Sequence, residues 1–192
     1  MFHEPAGGNY ASLELPCGQC HGCRLERSRQ WAMRCVHEAQ LHEENCFITL
    51  TFSPEELVKR DKPYSLDVRD FQLFMKRLRK RFRGKKIRFY HCGEYGEQYG
   101  RPHYHAILFG VDFPDKELHT VNNGHRIYVS NILQKLWPFG YSSIGDMTFE
   151  SAAYVARYCM KKVTGDMAED HYAAVDRDWE TKGHNFCKIL DT

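Results

Sequence analysis

The sequence predicts an α+β domain with at least four β-strands and three α-helices. Residues 46–52 alternate their side chains in the pattern of a strand within a sheet. Residues 86–111 hold two strand-like runs separated by a glycine-rich turn, which is typical of a β-hairpin. Stretches rich in helix-forming residues, such as residues 24–44, precede and follow these strands. With 192 residues, the chain is long enough to bury a core of its own.

The composition favours a cytoplasmic protein. No apolar run reaches membrane length, and the first residues lack the charged-then-apolar layout of a secretion signal. The net charge is only +2, so overall charge does not identify a nucleic-acid partner. Eight cysteines without a secretion signal favour metal binding or reduced thiols over disulfides.

The cysteines near the N-terminus have the spacing of metal ligands. Cys17, Cys20 and Cys23 form two overlapping C-x-x-C pairs. Thiolates at this spacing can bind one ion, and Cys35 or His21 would complete a tetrahedral structural zinc. Buried reduced thiols or a redox-sensitive cluster are the alternatives.

The first predicted elements follow these cysteines. Residues 1–16 show no period and are assigned no structure, whereas residues 24–44 repeat Trp31, Cys35 and Ala39 at helical spacing. We expect Trp31 to lie in the core rather than to stack on a base. The next segment is a strand, predicted to be central, whose two faces carry Phe47, Thr49 and Thr51 on one side and Ile48, Leu50 and Phe52 on the other.

Residues 65–82 predict a second helix, with Ser65 as its N-cap and acidic residues in its first turn. Its end and the following loop concentrate positive charge. The basic residues there are Lys76, Arg77, Arg79, Lys80, Arg81, Arg83, Lys85, Lys86 and Arg88. Such a patch can follow phosphates, although a positive last turn also suits a helix dipole.

Two histidines stand at the start of the second strand of the hairpin. His103 and His105 lie two residues apart, so both imidazoles leave one face of the strand while Tyr104 points the other way. The hairpin brings Glu94 back toward them. Two imidazoles and a carboxylate suit a divalent ion with open positions for substrate. The apolar residues 106–109 indicate a core strand, which favours this interpretation over an exposed polar face.

The last predicted helix, residues 148–162, carries Tyr154 and Tyr158 on one face, with Lys161 or Lys162 one turn later. Aromatic residues at this spacing are usually core. Hydroxyls beside an ammonium instead favour contact with an anion, and a phenol can attack a phosphodiester when an ion polarises the phosphate.

The remaining segments are weaker. Residues 111–125 are interpreted as a loop, residues 130–137 as a short helix ended by Pro138, and residues 141–145 as a short strand. Residues 166–192 are polar, with scattered aromatic side chains, and no fold is assigned to them.

Three of these segments, taken in order, resemble the motifs of HUH endonucleases that initiate rolling-circle replication. They are residues 47–52, residues 93–105 and residues 154–162. The paired tyrosines followed by lysine resemble the initiators of microviruses, and residues 16–23 are similar to the opening of the gokushovirus initiator. The resemblance implies an antiparallel sheet of about five strands flanked by helices.

On this resemblance the chain divides into a cysteine-rich segment and helix packed on the core (residues 1–45), an endonuclease core (46–165) and a C-terminal tail of uncertain order (166–192). The implied ligands of Mn²⁺ or Mg²⁺ are His103, His105 and Glu94, with Glu97 as the competitor of Glu94. The implied catalytic residues are Tyr154, Tyr158 and Lys161. The candidate DNA-binding residues are Thr49, Thr51, Arg79, Arg83, Lys85, Lys86 and Lys162.

The resemblance also implies an activity. Such proteins nick single-stranded origin DNA, at a hairpin or nick site, and stay bound to the 5′ phosphate. The 3′ hydroxyl then serves the host replication machinery in the bacterial cytoplasm, without a membrane partner. The second tyrosine would later cut the regenerated origin and allow the strand to be rejoined. A non-catalytic nucleic-acid-binding module with a zinc knuckle and a water-using metallonuclease are the alternatives.

Overall fold

A computed structural model describes residues 15–96, 100–160 and 187–189. The described helices are α1 (His21–Ala39), α2 (Pro54–Val58), α3 (Val68–Arg81), α4 (Asn131–Leu136) and α5 (Phe149–Met160). The strands are β1 (Asn45–Phe52), β2 (Arg88–Tyr95), β3 (Pro102–Phe109), β4 (Glu117–Asn122), β5 (His125–Val129), β6 (Gly140–Gly145) and β7 (Cys187–Ile189). The expectation of no structure for residues 1–16 falls largely outside the described residues. Most of the segment 166–192 does so as well.

The strands form one sheet in the order β4-β5-β6-β1-β3-β2-β7, and every described pair is antiparallel. The predicted α+β class and the hairpin of β2 and β3 are therefore confirmed. Strand β1 is central, between β6 and β3, as its apolar character predicts. The sheet has seven strands where about five were expected.

Helices cover both faces of the sheet. On the first face, α3 and α4 pack on apolar side chains of β1, and this core includes Leu50, Phe74, Leu78 and Trp137. On the second face, α1 packs against α5, and the two helices cover a smaller core with apolar residues of β2 and β3. Tyr104 lies fully buried in the first core, so it does point away from the neighbouring histidines.

Two predicted helix ends were wrong. Helix α3 begins at Val68 rather than near Ser65, because the carboxylate of Asp67 accepts a hydrogen bond from the backbone of Arg69 at 2.8 Å and acts as the N-cap. Helix α1 ends at Ala39 rather than at residue 44. The side-chain amide of Asn45 donates to the carbonyl of Ala39 at 3.0 Å and so holds the chain as it turns into β1.

The predicted loop at residues 111–125 was also wrong in part, because it contains β4 and the turn into β5. All six side chains of β4 are exposed, so this edge strand has no apolar alternation that would reveal it. The missed signal is the turn. Asn123 and Gly124 both adopt positive φ, which is the conformation of the tight Asn-Gly hairpin turn.

No helix within the described ranges is long and apolar enough to cross a membrane. Six of the described cysteines carry free thiols and Cys159 is disulfide-bonded, so the expectation of reduced thiols fails for that residue.

Candidate active site

The pairing of three strands brings the predicted metal ligands to one place on the second face of the sheet. His105 lies opposite Thr49 of β1, and His103 lies opposite both Thr51 of β1 and Glu94 of β2. Directly opposed residues of an antiparallel pair share a face. The register therefore places two imidazoles, two hydroxyls and one carboxylate side by side at one end of the sheet.

Glu94 and His105 form the buried centre of this group. Nε2 of His105 lies 2.7 Å from Oε1 of Glu94, and the two residues are only 7% and 6% exposed. The second carboxylate oxygen, Oε2, is buried without a hydrogen-bond partner. Burial raises the pKa of Glu94, but hydrogen bonds from His105, Tyr154 and Tyr158 outweigh burial and lower its pKa below the usual value. Glu94 is therefore ionised at neutral pH.

A threonine orients each histidine. The hydroxyl of Thr49 lies 3.0 Å from Nδ1 of His105, and the hydroxyl of Thr51 lies 2.8 Å from Nδ1 of His103. Partners at Nδ1 fix the ring orientation and leave Nε2 available to bind an ion, as the outer partners of metal-bound histidines do. The rings of His103 and His105 lie 6.3 Å apart, centroid to centroid.

Burial and the neighbouring His105 lower the pKa of His103 below its usual value, and Glu94 opposes this effect only in part. His103 is thus neutral at neutral pH, which is the form that binds metals. Gly96 leaves space for this ring: a Cβ atom at position 96 would lie 2.7 Å from Nε2 of His103.

Helix α5 brings both tyrosines to the carboxylate. The hydroxyl of Tyr154 donates to Oε1 of Glu94 at 2.8 Å, and its ring stands edge-on to His105 at 5.1 Å. Tyr158 lies one turn later, with ring centroids 4.9 Å from Tyr154, and it too hydrogen-bonds to Glu94. Burial, a hydrogen bond with Tyr158 and the charge of Glu94 raise the pKa of Tyr154, so this phenol is protonated at neutral pH.

Sequence reasoning missed the role of Phe47. Its ring stacks on His105, with centroids 5.7 Å apart and planes within 1°, and it meets Tyr154 edge-on at 6.3 Å. The available signal was its position, because Phe47 shares a strand face with Thr49 and Thr51. An apolar ring thus fills the space between the histidine and the tyrosine helix.

The donor set suits a divalent ion such as Mn²⁺ or Mg²⁺. Glu94 is ionised and presents a buried oxygen without a partner, and the nearby imidazoles are held through their far nitrogens. Glu97, the predicted competitor of Glu94, lies outside the described residues. Lys161 and Lys162 lie outside them as well, so their predicted roles remain predictions.

The predicted basic residues occupy a different region. Helix α3 covers the first face of the sheet, so Arg79 lies on the side away from the tyrosines. Arg83, Lys85 and Lys86 follow in the turn into β2, and we call these four residues the basic surface. Lys85 pairs with Glu44 at the start of β1. From that end of β2 to Glu94 the strand runs about 20 Å, at roughly 3.4 Å per residue.

The N-terminal cysteines are brought together, but without Cys35. The thiols of Cys17, Cys20 and Cys23 lie within 4.8 Å of one another, and the part of the chain that the structure describes adds no fourth ligand atom. Cys23 and Cys35 both lie on α1, so the helix separates them by about 18 Å. Cys35 is buried between α1 and the sheet and cannot be the fourth ligand.

These observations define a DNA-replication protein once the chain is compared with known families. Residues 45–163 match the family of replication-associated proteins typified by ORF2, and the chain belongs to that family. The resemblance to microvirus replication proteins inferred from the motifs is thereby confirmed. No solved structure matches the chain.

Three phage proteins show the relationship in detail. The chain is 38% identical to the replication-associated protein VP4 of Bdellovibrio phage phiMH2K over 84% of its own length and 52% of that protein. It is 37% identical to the replication-associated protein ORF4 of Chlamydia phage 1, over 79% and 39% of the two lengths. It is 35% identical to the replication-associated protein ORF2 of Spiroplasma virus 4, over 78% and 48%. The chain therefore spans about half the length of these relatives.

Proposed function

We propose that this protein initiates rolling-circle replication by nicking single-stranded origin DNA with a tyrosine nucleophile. The observation that carries the proposal is the convergence of both tyrosine hydroxyls on Glu94, which also contacts His105. A core stripe of tyrosines would instead bury its hydroxyls against apolar side chains or backbone. Membership of a replication-associated family supports a DNA substrate.

His103, His105 and Glu94 would hold the divalent ion. When bound, Mn²⁺ or Mg²⁺ supplies positive charge to the oxygens of the scissile phosphate. Thr49 and Thr51 keep the two imidazoles oriented during this binding. Phe47 and the buried wall of α5 exclude water from the side of the site that faces the sheet.

Tyr154 would be placed for the first attack by its hydrogen bond to Glu94. Oε1 of Glu94 lies 2.8 Å from the hydroxyl, within proton-transfer distance, and accepts its proton as the phenol oxygen bonds to phosphorus. The bond between phosphorus and the 3′ oxygen breaks, and that oxygen takes up a proton. The products are a 5′-phosphotyrosine link and a free 3′ hydroxyl, which the host polymerase can extend in the bacterial cytoplasm.

Tyr158 would serve the second cleavage. It lies one helical turn from Tyr154 and shares the same carboxylate, so each tyrosine can attack while the other holds DNA. The 3′ hydroxyl released by the second cut attacks the first phosphotyrosine. That step restores a phosphodiester, frees the tyrosine and closes the strand.

The test is incubation of the protein with labelled single-stranded origin DNA and Mn²⁺, followed by a denaturing gel. We expect cleavage and a covalent adduct that survives denaturation. The double variant Tyr154→Phe, Tyr158→Phe should form no adduct and leave the DNA intact. Tyr141→Phe is the matched control, because Tyr141 is 61% exposed on β6 and should keep full activity.

The same gel separates the alternatives. Unchanged cleavage by the double variant would mean that the tyrosine mechanism is wrong. Cleavage by the unmodified protein without any adduct would indicate a water-using metallonuclease. DNA binding that is insensitive to EDTA, with neither cleavage nor adduct, would indicate a non-catalytic binding module.

A further inference from the structure

The exposed thiols at the start of α1 are not used by the proposed reaction. Cys17 and Cys20 are exposed and Cys23 is partly exposed, whereas Cys35, Cys46 and Cys92 are buried. Cysteine is among the most buried residue types, so three thiols that converge at the surface require a reason. We infer that Cys17, Cys20 and Cys23 bind a Zn²⁺ ion as three thiolate ligands.

The first support is geometric. The three sulfur atoms lie within 4.8 Å of one another, and those of Cys17 and Cys23 are 3.8 Å apart. Sulfur ligands of a tetrahedral zinc, each about 2.3 Å from the metal, are separated by about this distance. Gly18 adopts φ +76°, a conformation that other residues rarely take, and so allows the chain to turn tightly between the first two ligands.

The second support is the backbone around the sulfurs. The N–H of Cys20 donates to the thiol of Cys17 at 3.3 Å, and the N–H of Cys23 donates to the thiol of Cys20 at 3.5 Å. Cys20 is also the N-cap of α1, where the helix dipole favours negative charge. Donors aimed at sulfur favour the thiolate, which is the form that binds metal.

The chemistry selects the ion. Soft thiolate ligands favour zinc over the hard cations expected at Glu94 and the histidines, so the two sites can hold different metals. Solvent takes the fourth position, because the described residues provide only three ligand atoms there. This site is independent of the proposed nicking reaction.

The ion would fix the first turn of α1 to the preceding segment. Further along α1, Ala32 and Cys35 pack in the core that also contains Ala152 and Val155 of α5, the helix that carries the tyrosines. A clamp at the start of α1 would therefore stabilise the layer on which the tyrosine helix rests. Chelation should lower the melting temperature even in a protein whose histidine site has been removed.

The first experiment replaces the bound metal with Co²⁺ in the whole protein. We expect the ultraviolet charge-transfer band of cobalt bound to thiolates, with a stoichiometry of one. The band should disappear in the variant Cys17→Ser, Cys20→Ser, Cys23→Ser. It should persist in Cys46→Ser and in His103→Ala, His105→Ala. Absence of the band in the unmodified protein, or its persistence in the triple variant, would overturn the assignment.

A second experiment needs no variant. Zn²⁺ should slow alkylation of Cys17, Cys20 and Cys23 together by about tenfold when the free ion exceeds its dissociation constant by about that factor. Mass spectrometry of the modified peptides gives the rate at each thiol. If Zn²⁺ leaves these three rates unchanged, the site does not exist.

Discussion

Strand β1 separates two environments that differ in chemistry. Ile48, Leu50 and Phe52 are buried among apolar side chains of α3 and α4. Thr49 and Thr51, which alternate with them, point to the other face and hold the two histidines. One strand thus contributes to the main core with one set of side chains and orients the candidate active site with the other.

This comparison shows how a reactive group is kept stable. The first core is larger and wholly apolar around β1, so its burial supplies most of the hydrophobic stabilisation. The second face can then bury Glu94 and His105, which are costly to desolvate, because they satisfy each other and the rest of the sheet is already anchored. Substitutions on the two faces should consequently separate activity from stability.

The largest expected effect on the polar face is that of Glu94→Gln. The amide keeps the shape of the side chain but cannot accept the phenol proton as a carboxylate does, so adduct formation should fall by about 10²–10⁴-fold. Thermal stability should change little. Rates of adduct formation with Mn²⁺ measure the effect, and Glu150→Gln, at the exposed first turn of α5, is the control. A Glu94→Gln protein of full activity would remove Glu94 from the mechanism.

The largest expected effect on the apolar face is that of Leu50→Ala. Leu50 is fully buried, so the cavity should cost about 2–5 kcal/mol of unfolding free energy, measured by urea denaturation. The folded fraction of the variant should retain its rate of adduct formation. If the rate per folded molecule fell as far as in Glu94→Gln, the two faces would not be separable.

An intermediate effect is expected for Thr49→Val, beside Leu50 on the same strand. Valine keeps the volume but removes the hydroxyl that contacts Nδ1 of His105. Metal affinity or activity should fall by about 10–100-fold, the usual cost of losing an outer partner of a metal-bound histidine. Titration of activity against Mn²⁺ measures it. Thr49→Ser, which keeps the hydroxyl, should restore most of the loss.

The smallest expected effect is that of neutralising the basic surface. In the double variant Arg83→Gln, Lys86→Gln, the slope of log binding constant against log salt should decrease by about 1.4, since each single-strand phosphate contact contributes roughly 0.7. Cleavage rates at saturating DNA should not change. An unaltered salt slope would show that this surface does not contact the strand.

The sequence was most informative where function depends on local spacing. The two-residue spacing of His103 and His105 and the four-residue spacing of Tyr154 and Tyr158 fix which side chains share a face, and the structure follows both. The roles of Thr49 and Thr51 were not predictable, because they depend on the register of β1 against β3. Cys35 was misassigned for a related reason: cysteine spacing suggested proximity, but a continuous helix keeps it away from the other thiols.

The position of the basic surface sets a minimum length for the substrate. It lies at the far end of β2 from Glu94, about 20 Å away along the strand. A nucleic-acid strand advances roughly 3.4 Å per nucleotide when stacked, so one strand touching both places needs about six nucleotides beyond the scissile phosphate. Shorter oligonucleotides should be cut without any contribution from these basic residues, and longer ones should gain affinity in a single step once they reach that length.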